Sequence, residues 1–364
     1  MQENWKKIQS ILTQYFPEII KKFENIVFSP NHSYWKELRK QLENIIIEND
    51  ILHGRDGIYL FQSNNNKVNH NTIQDNSFSA IYLLYSKNNI LKENEMVNCG
   101  LLLYGTTLTE YINDIDTSNK VNGKTLYYYI NENGVTVPSD AGEVILINCK
   151  YFNVSNLDLS DGTIGLQLAY SNDNTIFKNI LNNNKFAGVY LESSNSNTVK
   201  KNTIKNNSYG IDLQLANSNE IKQNKIRSNY YGCFIYLSDS NTFSGNNILY
   251  NTYGIRLNYP SNSNNIHHNN LIYNGFHGWD ENEQTNTWDD GKKGNYWGDY
   301  TERYPDARRI WLKGIWNISY DIPDNDNQDR YPLILPNINS KEKTFNPIYF
   351  SFFKKILNYF PILK

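Results

Sequence analysis

The chain has 364 residues, 35 of them basic and 37 acidic, for a net charge of -2, so no surplus of positive charge points to nucleic acid or an anionic membrane. Three widely separated cysteines, Cys99, Cys149 and Cys233, exclude a disulfide framework and a thiolate metal cage. The 59 asparagines are roughly four times an average share.

In residues 1–41, Ile8, Leu12, Phe16, Ile19, Ile20 and Phe23 fall at helical spacing with Glu and Lys between them. That spacing predicts a helical N-terminal cap, not the unbroken apolar core of a secretion signal. From 42 to 278 the chain repeats itself at a step near 22 residues. The glycines run Gly165, Gly188, Gly210, Gly232 and Gly254, with Gly57, Ala80, Gly100 and Gly142 before them. One asparagine column runs Asn44, Asn66, Asn88, then Asn174, Asn197, Asn219, Asn241 and Asn264. The other runs Asn49, Asn71, Asn94, then Asn179, Asn202, Asn224, Asn246 and Asn269. The series is broken at about 104–141, where residues 124–130 and 131–134 read as a hairpin projecting from the coil. Residues 279–340 hold Trp279, Trp288, Tyr296, Trp297, Trp311 and Trp316, an aromatic C-terminal cap. The tail, 341–364, reads as a short amphipathic helix packed on the body. No stretch reaches the ~18 to 20 consecutive apolar residues of a membrane span.

A step of 22 residues is too short for a helix pair and fits one turn of three short strands stacked about 4.8 Å apart. In Gly-Ile-x-Leu, Ile211 and Leu213 point inward and the residue between them outward. Asparagine suits the bends because it tolerates left-handed backbone and because identical amides one layer apart bond as a ladder. A leucine-rich repeat would need more Leu per unit. The expected fold is all-β: a right-handed parallel β-helix of about ten turns between Asn44 and Tyr273.

The asparagine-rich coils, the insertion Asp116-Thr-Ser-Asn-Lys-Val-Asn-Gly-Lys-Thr-Leu-Tyr-Tyr-Tyr, and the ending Gly294-Asn-Tyr-Trp-Gly-Asp-Tyr300 followed by Asp329-Arg-Tyr-Pro-Leu333 carry a resemblance. The chain resembles NosD-like right-handed β-helix proteins of the carbohydrate-binding and sugar-hydrolase type over roughly residues 42–335. The resemblance implies an exported or cell-surface protein, and implies copper through the founding members' part in metallocentre maturation. No export signal is visible in this sequence to match.

The outward strand positions predict one continuous face: Tyr59, Tyr82, Gln167, Tyr190, Asp212, Phe234 and Arg256, flanked by Phe61, Glu192, Gln214, Tyr236 and Asn258. Rings beside amides and carboxylates suit a polysaccharide or glycan, although the same rings also suit plain packing across turns. Glu192 and Asp212, one layer apart, are the candidate catalytic carboxyls, with Arg256 to hold a uronate carboxylate or a developing enolate. The aspartate cluster of β-helix galacturonidases and the Asp-Pro-His motif of alginate epimerases are absent, so binding is expected ahead of catalysis. The enzyme alternative is a polysaccharide lyase, epimerase or glycoside hydrolase; the third is an assembly factor with a protein partner.

His267 and His268 are expected on opposite sides of a strand, so at most one joins His277. Asp324, Asp326 and Asp329 form an oxygen-rich loop that suits Ca²⁺, without the glycine and glutamate of an EF-hand.

Overall fold

A computed structural model describes residues 44–337; the predicted cap over 1–41 and the tail over 341–364 lie outside the described residues. The chain is a parallel β-helix, built as two coil stacks that share one sheet. In the first, Ile45–Ile47, Lys67–Asn69, Ile90–Lys92 and Asp114–Ile115 form one wall, and Asp56–Phe61, Ser79–Leu84 and Leu101–Tyr104 another. The third wall, Asp50–Leu52, Thr72–Gln74, Glu95–Val97 and Lys120–Val121, continues into a twelve-stranded sheet. That sheet runs on through Lys124–Ile130, Ala141–Ile147, Ile164–Ala169, Ala187–Glu192, Tyr209–Gln214, Tyr231–Tyr236, Tyr253–Leu257 and Phe276–Asp280. Two six-stranded sheets, from Asn153–Ser155 to Asn265–His267 and from Ile180–Asn182 to Tyr296–Trp297, complete the second stack.

The interruption differs from the projecting hairpin expected over 124–134. Lys120–Val121 and Lys124–Ile130 pair antiparallel, Val121 opposite Lys124, and Lys124–Ile130 then pairs in parallel with Ala141–Ile147. The segment therefore stays in the sheet and reverses strand direction between the stacks. Asn122 and Gly123 make the turn with φ of 52° and 74°, the geometry of a two-residue type I′ loop.

Each stack has its own core. Val144, Leu166, Val189, Ile211, Cys233 and Ile255 fill the second. Ile58, Val68, Ile73, Leu91 and Leu103 fill the first, which is closed by Leu126, Ile145, Ile147 and Ala169 from the outer face of the shared sheet. Each of these leucines and isoleucines contributes ~1.5 to 3 kcal/mol on leaving water, which fixes the first stack against the second. The edge strand Leu101–Tyr104 is bound to that face by side chains. Leu101 N–H donates to Glu143 Oε2 (3.1 Å), and Gln167 Nε2 donates to the Leu103 carbonyl (2.6 Å). Gly100 donates to Thr163 Oγ1 at 2.8 Å, and a Cβ there would lie 2.1 Å from Glu143 Oε2.

The asparagine ladders form through buried amides. Asn174, Asn197, Asn219, Asn241, Asn264 and Asn286 make one, and Asn179, Asn202, Asn224, Asn246, Asn269 and Asn295 another. In the first stack the rung above Asn66 is Asn89, not Asn88. A third ladder, Asn184, Asn207, Asn229, Asn251 and Asn274, precedes the glycine column. The left-handed residues are those just before the rungs, such as Lys178, Lys201, Gln223 and Tyr250. Asparagine is present for its amide, then, and the bend accepts many residue types.

Candidate functional site

The outer face of the shared sheet is not the single open surface expected. Tyr59 and Tyr82 belong to the separate sheet of the first stack, and that stack lies over part of the face. Gln167, Tyr190, Asp212 and Glu192 are consequently buried. Strand alternation sets their outward direction correctly; what lies outside them is a second layer of protein. Tyr111 donates its hydroxyl to Glu192 Oε2, and Tyr190 donates to the same oxygen at 3.0 Å. Burial pushes the Glu192 carboxyl up to about 7 against the pull of those two hydrogen bonds. Burial likewise pushes Asp212 to about 8, opposed by the Gln214 amide at 3.1 Å and reinforced by Glu192. Asp212 Oδ1 is enclosed without a partner. Burial thus holds both carboxyls toward the protonated form and closes them to a polymer.

Arg256 has its charge engaged: Nη2 is 2.7 Å from Glu281 Oε1, Nε donates to Asn258 Oδ1 (2.8 Å), and the guanidinium lies over Tyr253 at 5.1 Å. Beyond the first stack the face is open, with Gln214, Phe234 and Asn258 half-buried and Tyr236 exposed. A column that the sequence reading missed runs beside it. Tyr209, Tyr231, Tyr253 and Phe276 stack at 5.0, 5.2 and 4.9 Å with planes within 25°. Its signal was an aromatic directly before Gly210, Gly232 and Gly254. Rings stacked along the axis turn their faces to each other, so the column's inner members pack.

Phe276 ends the column and also lines a cleft of about 400 Å³ at the end of the stack, with Tyr273, His277, Asp299, Glu302 and Arg303. His277 is buried, and its Nε2 has no hydrogen-bond partner, lying 3.6 Å from Asp299 Oδ1. Burial lowers the His277 pKa, opposed by Asp299, and so keeps the ring neutral near pH 7. Asp299 accepts from the Tyr320 hydroxyl at 3.0 Å, and Arg303 covers the Tyr320 ring at 4.5 Å. Asp299 comes from the Asn-Tyr-Trp-Gly-Asp-Tyr ending, where carboxylate, imidazole, guanidinium and rings meet in one concave place.

The candidate calcium loop is not assembled. Asp329 is buried in the C-terminal cap, accepting from Asn295 N–H (2.7 Å) and Trp297 Nε1 (2.8 Å). Burial raises it to about 7, against those hydrogen bonds. Asp324 and Asp326 lie in an exposed turn with left-handed backbone. The histidines differ from expectation too: His268 has φ of 59°, which ends the alternation and brings its Nδ1 to 3.0 Å from His267 Nδ1. Neither ring joins His277; Asp290 is their neighbour, His268 Nε2 being 3.4 Å from Asp290 Oδ2.

The family described as periplasmic copper-binding protein (NosD) matches residues 116–302, just over half of the chain. A right handed beta helix region matches residues 20–139. No curated protein matches. Among solved structures, a mutant of the periplasmic alginate epimerase AlgG is similar at 16% identity and a TM-score of 0.39, covering 62% of this chain and 57% of that one. The chain therefore spans little more than half of AlgG. The A-module of the Azotobacter vinelandii mannuronan C-5 epimerase AlgE6 is 14% identical at a TM-score of 0.36, with 65% and 76% covered. The tailspike of E. coli bacteriophage HK620, in complex with a pentasaccharide, is 12% identical at 0.37, with 70% and 54% covered. Likeness at this level carries no argument about what the present chain binds or does.

Copper is named in the family's description. Among the described residues one group of donors converges, His267, His268 and Asp290, within 4.8 Å of one another. Two imidazoles and a carboxylate are a donor set that copper accepts.

Proposed function

The chain belongs to the NosD family, and from that premise we propose that it binds a glycan, with a terminal sugar in the end cleft and the following sugars along the open half of the sheet face. The observation that carries this reading is Phe276, which is at once the last ring of the aromatic column and part of the cleft wall. A ligand leaving the cleft past Phe276 meets Trp279, Phe234 and Tyr236 on the open face. Inside the cleft, Asp299, Glu302 and Arg303 offer acceptors and donors to ring hydroxyls, and Phe276 offers an apolar surface to the sugar ring. Its volume of about 400 Å³ falls in the range of small-ligand sites. Binding is favoured over bond cleavage because Glu192 and Asp212, the expected acid and base, are both buried.

A glycan array with the purified full chain tests the proposal, followed by calorimetry on any hit with Asp299→Asn and Phe276→Ala. A specific hit that both substitutions weaken supports it. An array without a hit, or a hit that neither substitution affects, removes it.

A further inference from the structure

We infer that the second stack carries, on the two walls away from the shared sheet, a binding site for an anionic polysaccharide, separate from the end cleft. The net charge of -2 conceals a local excess. On the wall spans 175–182, 198–205 and 220–227, which form three successive layers, seven cations stand against one acid, Glu220, and Lys222 pairs with it. The cations are in register with one another. Lys200 lies beside Lys222, and Lys205 beside Arg227, on neighbouring strands whose backbones are about 4.8 Å apart. Lys178 and Lys201 occupy left-handed bends in successive layers. Like charges side by side in a sheet are destabilising. The coil does not require them, since the next layer has Ser244 and Leu249 at the positions of Lys222 and Arg227. Packing does not neutralise them either: Phe177 gathers the ammonium groups of Lys178, Lys200 and Lys201 at 4.9, 5.4 and 5.9 Å from its ring centre, which concentrates the charge.

At the bend between this basic wall and the shared sheet runs an open groove of about 510 Å³, lined by Asn183, Lys185, Asn206, Ser208, Ser228 and Tyr230. Lys205 and Arg227 directly precede the groove residues Asn206 and Ser228, which sets both cations beside it. Its amides and hydroxyls match the hydroxyls of a sugar, and the exposed Tyr230 ring offers a surface to a sugar face. The cations add what a neutral chain does not use, partners for carboxylates or sulfates. A uronate polymer bears one carboxylate per sugar, an interval near that of one layer. Other polyanions fit less well. The cations stand on two walls that meet at the bends of Lys178 and Lys201, so a flat lipid surface reaches one wall at a time. Single-stranded nucleic acid stacks successive bases on several rings, and this groove offers one.

The test titrates the full chain calorimetrically with polygalacturonate oligosaccharides, with their fully methyl-esterified form and with chondroitin sulfate, at low and at physiological salt. The acidic chains should bind, more weakly as salt rises, and the methyl ester about 10-fold or more weaker than the free acid. Lys205→Gln/Arg227→Gln should weaken binding about 10-fold with a melting temperature at or above the wild-type value, because a like-charge pair is removed. Lys292→Gln/Lys313→Gln makes the same charge change at exposed positions of the C-terminal cap and should leave affinity unchanged. Equal affinity for acid and ester, equal effects of the two double variants, or no binding of either acidic chain would overturn the inference. So would single-stranded DNA or phosphatidylglycerol vesicles binding more tightly than both acidic chains and losing that affinity in Lys205→Gln/Arg227→Gln.

Discussion

The Tyr111 hydroxyl reaches the Glu192 carboxylate across a sequence separation of 81 residues, joining the first coil stack to the outer face of the second. The same hydroxyl also accepts the Gly105 N–H at 2.9 Å. Tyr111→Phe removes both contacts without changing the packed ring, and it leaves Gly105 N–H an enclosed donor with no partner. The expected loss is about 1 to 3 kcal/mol, read as a lower urea midpoint. An unchanged midpoint would mean that this hydroxyl adds nothing to the apolar contacts and to the hydrogen bonds at Gly100, Leu101 and Leu103 that also join the stacks.

The raised carboxyls make stability depend on pH in a definite direction. Glu192, Asp212 and Asp329 have folded pKa values of about 7, about 8 and about 7, against roughly 4 in the unfolded chain. Between those values the folded protein holds more protons than the unfolded chain, so stability declines as pH rises. The contribution is complete below pH about 4 and is lost by pH about 8, at up to about 1.4 kcal/mol per pH unit for each group. Denaturation at pH 5.5, 7 and 8.5 should give midpoints in falling order, and Asp212→Asn should flatten the last step. A midpoint that rises over this interval would contradict the burial of these groups.

The coil and its walls were legible because a structural period writes itself into sequence: glycine, asparagine and apolar columns recur at the spacing of one layer. The reversal between stacks was also legible, in Asn122-Gly123, the strongest short hairpin signal there is, although the neighbouring tyrosine run draws attention first. Burial of Glu192 and Asp212 was not legible. Alternation tells which way a side chain points and nothing about what arrives there, and Tyr111 and Leu102 arrive from a stack of opposite strand direction. The histidine pair failed for a local reason, since alternation was applied one residue past the end of the strand, to His268. The cleft combines the tip of a strand with Asp299 and Tyr320, whose meeting depends on the course of the C-terminal cap.

Ladder asparagines should be far less tolerant than their left-handed neighbours. Asn224 Oδ1 accepts from the N–H and the side-chain Nδ2 of Asn202, while its own Nδ2 donates to the Val199 carbonyl and to Asn246 Oδ1, all at 2.9 to 3.0 Å. Asn224→Asp keeps the shape but loses both donors and buries a charge against two acceptors. A cost of about 3 kcal/mol or more is expected. Asn206 is exposed at a left-handed bend and shares one exposed amide contact with Asn183, so Asn206→Gly should change stability by less than about 1 kcal/mol. Equal effects at the two sites, measured by denaturant midpoint, would refute the division of labour between rung and bend.

The aromatic column offers the sharpest separation of packing from recognition, because its members share chemistry and differ in exposure. The Tyr231 ring lies between Tyr209 and Tyr253, with neighbours on both faces. Phe276 has one stacked neighbour, is 41% exposed and borders the cleft. Removing the Tyr231 ring takes away two stacked contacts and its buried area, so Tyr231→Ala should cost about 2 to 4 kcal/mol of stability and alter glycan affinity little. Removing Phe276 loses one stacked contact and much less burial. Phe276→Ala should leave the denaturation midpoint close to wild type while weakening glycan binding by about 10-fold, the equivalent of ~1.4 kcal/mol. Calorimetric titration beside denaturation of the same two variants reads both quantities. If Tyr231→Ala reduces affinity as strongly as Phe276→Ala at equal foldedness, the ligand runs along the column itself and the end cleft is not where its terminal sugar is held.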